Sequence, residues 1–460
     1  DKDQDGYTNF WEMRYQTSPD DFMSNPALEL SVGPVSITTT GEWADAQASL
    51  PTDTAGMQTI IPSCFSADGF RVFFVSAADN LHPDADGMRS NIYVRDRETD
   101  ITSAVNVSSD DRAGTLSNAM MAETFLGASD DGNLVYFLSD STNLVPGLDG
   151  APGHMFRVYV RDIDAGITAL VFEGLDSMSP FIITPDGQFA VFTAMIEDTP
   201  QRSSRGWQQV YQYDHEAGVV IEVSVSDSGE PAAHESSLPT PMSDDSVRTD
   251  TCISADGRYV FFESSASNIV EDDNNWFADI FVRDTHAGTT RRVNVADDGD
   301  GSSWGEGGFI AAGADGRFVL FRSADASLAG DDIAGNPVDF GEGLFLRDTA
   351  EERTTFVASG LDWNSAALIS RDGKRVAYEK SLDAAFSQIY VFDWTNGTTE
   401  LATPTVSGDV PSVDCQFAWD MARGTTSDQN TCFSENGRFV FFRSQATDLV
   451  ENDENGMTSD

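Results

Sequence analysis

Apolar positions along this chain fall in short runs bounded by Asp, Asn and Gly. No stretch sustains the three-to-four-residue spacing of an amphipathic helix. "RVFFVS", "LVYFLS", "YVFFES" and "FVLFRS" are such runs, each starting one residue after an Asp-Gly pair. β-branched and aromatic residues dominate them, and Asp-Gly supplies the positive φ of a tight turn. The pattern predicts β-strands joined by hairpins.

The hairpins repeat. "SADGFRVFFVSAADNL" at 66–81 returns as "SDDGNLVYFLSDSTNL" at 129–144, and again as "TPDGQFAVFTA", "SADGRYVFFESSASNI", "GADGRFVLFRSADASL", "SRDGKRVAYEKSLDAA" and "SENGRFVFFRSQATDL". The turn glycines are Gly69, Gly132, Gly187, Gly257, Gly316, Gly373 and Gly437, which makes seven copies. After each of the first six comes a second element of the type "NIYVRDRETDITSAVNV" or "DIFVRDTHAGTTRRVNV". Each unit therefore reads as four antiparallel strands, one before the Asp-Gly turn, one after it, one through Tyr/Phe-Val-x-Asp and one rich in Val and Thr. Repeats of this kind predict an all-β fold, a seven-bladed β-propeller of four-stranded antiparallel blades.

The seventh unit reaches Asp460 where its third strand is due, whereas "ALELSVGPVSITTTGE" at 27–42 reads as a third and fourth strand. Residues 27–40 are therefore expected to complete the blade begun by residues 430–445, so that strands from both ends close the ring and leave no free edge. The chain divides accordingly into a segment 1–26 and a propeller 27–460. The unit "S-x-D-G-R-x-V-x-F-x-S … N-L … D-I-Y-V-R-D … T-G-T-T" resembles the WD40-like, TolB-type (PD40) propeller repeat. That resemblance implies the fold and says little about activity, since such propellers serve many proteins.

The first segment, "DKDQDGYTNFWEMRYQTSPDD", resembles a bacterial thrombospondin type 3 calcium repeat, a module of secreted and surface proteins. Its spacing D-x-D-x-D-G-x-x-N-x-x-E also suits calcium, which takes six to eight hard oxygen ligands around a sharp turn. Asp1, Asp3 and Asp5 would supply side chains, Tyr7 its carbonyl, Asn9 a direct or water-mediated oxygen, and Glu12 a bidentate carboxylate. No helices of EF-hand length flank the loop, so calcium is expected to stiffen the segment rather than to signal. Within the repeats, "DADGMRSN" and "DENGMTSD" set out two further oxygen clusters, Asp84, Asp86 and Asn91, and Asp453, Asn455 and Asp460. Asp, Asn and Gly also make turns with no metal at all.

Charge narrows the partners. With 27 basic and 76 acidic residues the net charge is −49, which repels nucleic acids and anionic lipid. No run approaches the roughly 18 apolar residues of a membrane span, so direct membrane insertion is not expected. The chain starts without a Met or a signal-peptide pattern and is expected to be a mature chain or part of a longer one with additional domains. Cys64, Cys252 and Cys432 share one repeat position, that of a buried thiol, while Cys415 and Cys432 are spaced to close a 17-residue disulfide loop.

In a four-stranded meander the long connections, between strands two and three and between blades, leave from one end. Trp43, Trp207, Trp276, Trp304, Trp363 and Trp419 all fall there, either capping their own blades or offering rings to a ligand. Catalysis has little support. "GSSWG" matches G-x-S-x-G around Ser303 without the strand-to-helix context of a nucleophile elbow, and the five histidines are scattered. The expected role is calcium-stabilised recognition of a glycan or protein by an extracellular or cell-surface protein. A polysaccharide-degrading or peptidase-like enzyme, or a structural subunit of a surface assembly, is the alternative.

Overall fold

A computed structural model describes residues 35–51, 64–85, 90–114, 123–148, 156–175, 178–195, 207–239, 252–271, 273–299, 301, 308–325, 327–328, 343–361, 365–382, 386–411, 413–417, 432–434 and 436–450. The described residues contain no α-helix, and they form six four-stranded antiparallel sheets and one two-stranded sheet. This is the all-β, serial-meander architecture of a β-propeller.

Sheet 1 comprises Ala48–Ser49, Arg71–Ser76, Asn91–Asp96 and Ile101–Ala104. Sheet 2 comprises Thr124–Ala128, Leu134–Ser139, Phe156–Asp162 and Ile167–Leu175, and sheet 3 Met178–Ile183, Phe189–Ala194, Gln209–Asp214 and Val219–Glu222. Sheet 4 holds Ser236–Ser237, Tyr259–Ser264, Asp279–Asp284 and Thr289–Arg292, and sheet 5 Gly308–Ala312, Phe318–Ser323, Gly343–Asp348 and Arg353–Ala358. Sheet 6 holds Ala367–Ile369, Arg375–Leu382, Phe386–Asp393 and Thr398–Leu401, and sheet 7 pairs Cys415–Phe417 with Phe442–Ser444. The strands fall where the repeat places them.

Each Asp-Gly turn is built by its own side chains. Ser254 Oγ donates to Asp256 Oδ1 at 2.6 Å and accepts the amide of Tyr259 at 2.9 Å. The same arrangement holds Ser66–Asp68–Arg71, Ser129–Asp131–Leu134 and Ser370–Asp372–Arg375. The turn glycines have a second duty. A Cβ on Gly257 would lie 2.1 Å from the ring of Phe189 in the preceding sheet, and one on Gly316 or Gly373 would strike Tyr259 or Phe318 in the same way. Neighbouring turns also bond to one another, Ala255 N to Ala314 O and Ala314 N to Arg371 O, both at 2.8 Å.

Apolar side chains fill the space between consecutive sheets. Phe73 of sheet 1 packs on Phe125 of sheet 2, Tyr136 of sheet 2 on Phe181 of sheet 3, and Phe261 of sheet 4 on Phe309 of sheet 5, with ring centroids 5.1, 5.5 and 5.6 Å apart. These are tilted aromatic pairs of the favourable kind.

A polar latch runs beside this packing. The Arg of "VRD" reaches a Thr seven residues on, and that Thr donates to a carbonyl of the preceding unit. Arg161 Nη1 bonds Thr168 Oγ1 at 3.0 Å, Arg283 Nη1 bonds Thr290 Oγ1 at 2.9 Å, and Arg347 Nη1 bonds Thr354 Oγ1 at 3.0 Å. The three hydroxyls donate to Val107 O, Val225 O and Val295 O. Sheet 1 obeys the same rule, with Thr102 Oγ1 on Ile37 O at 2.6 Å. Residues 35–43 thus sit on sheet 1 as the tail of each sheet's fourth strand sits on the next sheet. Of the expected closing segment 27–40, residues 27–34 lie outside the described residues.

Carboxylates tether two junctions. Glu263 Oε1 accepts the amide of Phe309 at 2.9 Å, and Glu379 Oε1 accepts that of Phe417 at 2.6 Å. Burial pushes the Glu379 carboxyl up to about 7, against the opposing pull of the Phe417 amide. Of the two readings open for Cys432, a buried thiol or a disulfide with Cys415, the structure shows the buried thiol. Both thiols are buried and outside any disulfide: Cys415 Sγ faces Ser444 Oγ at 3.2 Å while Cys432 belongs to the apolar cluster between sheets 6 and 7. Cys64 and Cys252 are likewise buried and outside any disulfide, as their shared repeat position predicts.

Two outcomes test this packing. Thr354→Val keeps the shape but strands the Val295 carbonyl and one Arg347 donor, at a cost of roughly 1–3 kcal/mol in urea unfolding. Glu379 has a folded-state pKa above its ordinary value, so its contribution is fully present below about 4.5 and is lost as pH rises through about 7. Glu379→Gln removes that dependence, and the stability of the variant relative to wild type is expected to increase from pH 5 to pH 8.

Candidate binding surface

Connectivity gives every sheet two unlike ends. The Asp-Gly turns and the "RDxxxGxT" turns share one, and the strand two-to-three loops and sheet-to-sheet connections share the other. The second end is where side chains are free of the repeat.

At sheet 4 that end carries Asp273-Asn274-Asn275-Trp276-Phe277. Trp276 is 74% exposed and its backbone lies in the left-handed region at φ 61°. A bulky residue is rarely held there, and strain of this kind is sustained only when the surroundings over-determine it. The surroundings are a buried polar root. Asp279, at the head of the third strand, accepts Asn294 Nδ2 on Oδ1 at 2.6 Å and Asn275 Nδ2 on Oδ2 at 3.1 Å. Arg292 Nη1 bridges Asp279 Oδ2 at 3.2 Å and Asp273 Oδ1 at 3.7 Å. Asn275 Oδ1 accepts the Phe277 amide at 3.0 Å, fixing the far side of the loop. Burial and the neighbouring Asp279 charge push the Asp273 carboxyl up, with Arg292 pulling it down.

The root is the local form of a device found in four sheets. A residue at the start of the third strand, or two positions into it in sheet 6, bonds a side chain 15 positions on: Asn91 with Asn106, Gln209 with Ser224, Asp279 with Asn294, and Gln388 with Thr403. Gln209 and Gln388 also donate to carbonyls of the next connection, His234 O at 3.1 Å and Val413 O at 2.7 Å. The loop end is thereby framed by buried hydrogen bonds, and side chains above it are held on a rigid base. Sheet 2 has its own version. There Glu123 is buried, accepts Ser139 Oγ at 2.9 Å, and is pushed up to about 8 by burial, so it is largely protonated at neutral pH.

Among the expected ligand residues, three tryptophans are described and all three are exposed. Trp207 pairs with His234 at 5.7 Å, joining the second-to-third-strand loop of sheet 3 to the connection into sheet 4. Trp43 presents its ring on the small hairpin ahead of sheet 1, its carbonyl held by Asn80 Nδ2 at 2.8 Å. Trp304, Trp363 and Trp419 lie outside the described residues. So do the Asp1–Glu12 loop, Asp86, and the cluster of Asp453, Asn455 and Asp460. Of the remaining cluster, Asp84 lies at the loop end with its amide on His82 Nδ1, and Asn91 is engaged by Asn106. Among the described residues no group of three or more His, Cys, Asp or Glu is arranged to hold a metal. Sequence reading missed Phe277, His234 and the whole Asp273–Asp279–Arg292 root. The Asp279–Asn294 spacing, shared with Asn91–Asn106, was the available signal.

No protein-family profile and no curated protein matches this chain. Among solved structures it is similar to TolB from Acinetobacter baumannii, at 13% identity over 74% of this chain and 64% of that one, with a TM-score of 0.30. It is also similar to an oligogalacturonate lyase in complex with manganese, at 12% identity over 88% and 93%, TM-score 0.39. A third likeness is to dipeptidyl peptidase 4 from Porphyromonas gingivalis, at 12% identity over 75% and 47%, TM-score 0.44. The chain thus spans 64% of the TolB chain and 47% of the peptidase chain. At such identities and scores these likenesses carry no information on activity.

Removing the Arg292 guanidinium tests its role in the root. Arg292→Met leaves Asp273 and Asp279 buried without a counter-charge, with an expected loss of roughly 3–5 kcal/mol. The Phe277 amide, held by Asn275 Oδ1 at the far side of the loop, is expected to exchange faster with solvent as the loop loosens.

Proposed function

We propose that this chain is the calcium-stabilised recognition propeller of a secreted or cell-surface protein, without catalysis of its own. It binds a glycan or protein partner at the loop end. The observation that supports this reading best is Trp276, exposed on a loop whose base is locked by Asp273, Asp279 and Arg292. An aromatic ring held rigidly in water gives up little conformational entropy on binding, which is what stacking on a sugar face or anchoring a protein contact needs. Phe277 beside it, and the Trp207–His234 pair on the neighbouring connection, extend the apolar rings available. A net charge of −49 favours neutral or cationic partners over polyanionic ones.

Calcium belongs to this proposal through the sequence of residues 1–12. Asp1, Asp3, Asp5, Asn9 and Glu12 offer side-chain oxygens and Tyr7 a carbonyl, and the ion would stiffen that segment ahead of the propeller. Screening against neutral polysaccharides and basic proteins is expected to find a partner whose affinity falls at least tenfold in Trp276→Ala with the fold intact by circular dichroism. Equal binding by the variant would remove the loop end from the account, and release of cleaved product would replace recognition with catalysis. Chelator is expected to lower the unfolding midpoint of wild type but not of Asp3→Asn/Asp5→Asn, as ligand linkage requires.

A further inference from the structure

Three Asn-Gly pairs occur along the chain, and the fold treats the two described ones differently. Asn455-Gly456 lies outside the described residues. Asn436-Gly437 forms the turn of sheet 7, at the place where the six other copies have Asp-Gly. Gly437 is buried, and a Cβ placed on it would meet Arg375 and Ser370 of the sheet 6 turn, both at 3.0 Å. Asn436 Oδ1 accepts Ser434 Oγ and the Arg438 amide, both at 3.0 Å.

Asn396-Gly397 stands instead on the turn between the third and fourth strands of sheet 6, where both residues are exposed. A Cβ on Gly397 would meet no described residue within 4 Å. The turn also differs from its counterparts. In sheets 1 to 5 the opening Asp96, Asp162, Asp214, Asp284 or Asp348 accepts the amide three residues on, at 2.8–3.1 Å. In sheet 6 Asp393 Oδ1 takes the amide and hydroxyl of Thr395. Asn396 bonds forward, its Oδ1 accepting Thr398 Oγ1 at 2.6 Å and the Thr398 amide at 3.0 Å. The strand that follows, Thr398–Leu401, lies open. Its Thr399 is exposed, whereas Thr102, Thr168, Thr290 and Thr354 at the same position are buried.

We infer that Asn396 is a spontaneous deamidation site, with Gly397 N as the nucleophile and water as the only co-reactant. The bonds to Thr398 fold the Asn396 side chain forward over its own peptide link and draw electron density from the amide carbonyl. Cγ is therefore electrophilic and held on the side of Gly397 N, and Gly397 has no side chain to block the approach. Once its 2.9 Å bond to Asp393 O opens, Gly397 N attacks Cγ. The new C–N bond forms as the Cγ–Nδ2 bond breaks, and Nδ2 leaves as ammonia with the proton from Gly397 N. Water then opens the resulting succinimide at either carbonyl, giving aspartate or isoaspartate. Both products add a negative charge to a chain already at −49. Isoaspartate also lengthens the main chain by one atom where the fourth strand begins. The site belongs to the turn end and is independent of the role given to Trp276.

Peptide mapping of the folded protein during incubation at pH 8 tests this. Asn396 is expected to convert at least tenfold faster than Asn436, to a mixture of aspartate and isoaspartate, with the two rates drawing together in urea. Gly397→Asp retains the turn, since Asp100 holds the same position in sheet 1 at φ 59°, and is expected to slow conversion at least tenfold. Equal rates at the two sites in the folded protein, or a difference that persists unchanged in urea, would overturn the proposal. Aspartate without isoaspartate would do the same, because it would make water rather than Gly397 N the attacking group.

Discussion

The structure depends on one contact made over and over: the apolar face of each sheet buried against the first strand of the next. A single four-stranded meander has two faces and cannot bury both alone. Placing Phe73 on Phe125, Tyr136 on Phe181 and Phe261 on Phe309 supplies the missing cover. Because apolar packing is non-directional, it does not set the angle between sheets. The polar devices beside it do. The turn glycine lets neighbouring hairpins approach to backbone hydrogen-bond distance, and the Arg–Thr–carbonyl latch fixes the outer strands.

That arrangement explains why the loop end is available for function. The turn end is consumed by inter-sheet bonding, with Ser, Asp and Gly all committed to the turn or to its neighbour. At the loop end the commitments lie one layer down, in pairs such as Gln209–Ser224 and Asp279–Asn294, and the residues above them vary from sheet to sheet. Trp276 stands on such a base. Its exposure would be a liability on a mobile loop, yet on a root of two buried carboxylates and one guanidinium it is a fixed feature of the surface.

Most of the fold was legible in the sequence because the repeat encodes backbone geometry directly. Ser-x-Asp-Gly specifies a turn whatever surrounds it, so strand positions followed. The buried pairs were not legible, since Asn–Asn, Gln–Ser, Asp–Asn and Gln–Thr share hydrogen-bonding capacity and spacing but not residue type. Asp273 and Asp279 lie in a loop of residue types that commonly make turns, and only the fold brings Arg292 against them. The disulfide between Cys415 and Cys432 failed for a related reason: chain spacing permits a loop of that length, but it does not show that the two sulfurs belong to different environments, one beside a serine hydroxyl and one in an apolar cluster.

The most direct test of a structure built from one repeated junction is native-state hydrogen exchange at equivalent amides. Phe73 N, Phe261 N and Phe441 N make the same backbone bond, to Cys64 O, Cys252 O and Cys432 O, at 2.8, 2.7 and 2.8 Å. If each sheet is covered by its successor as Phe73 and Phe261 are, those two amides exchange only through global unfolding and share one protection level. Rapid exchange at one of Phe73 and Phe261 with full protection at the other would show that the junctions are not equivalent, and would contradict the account.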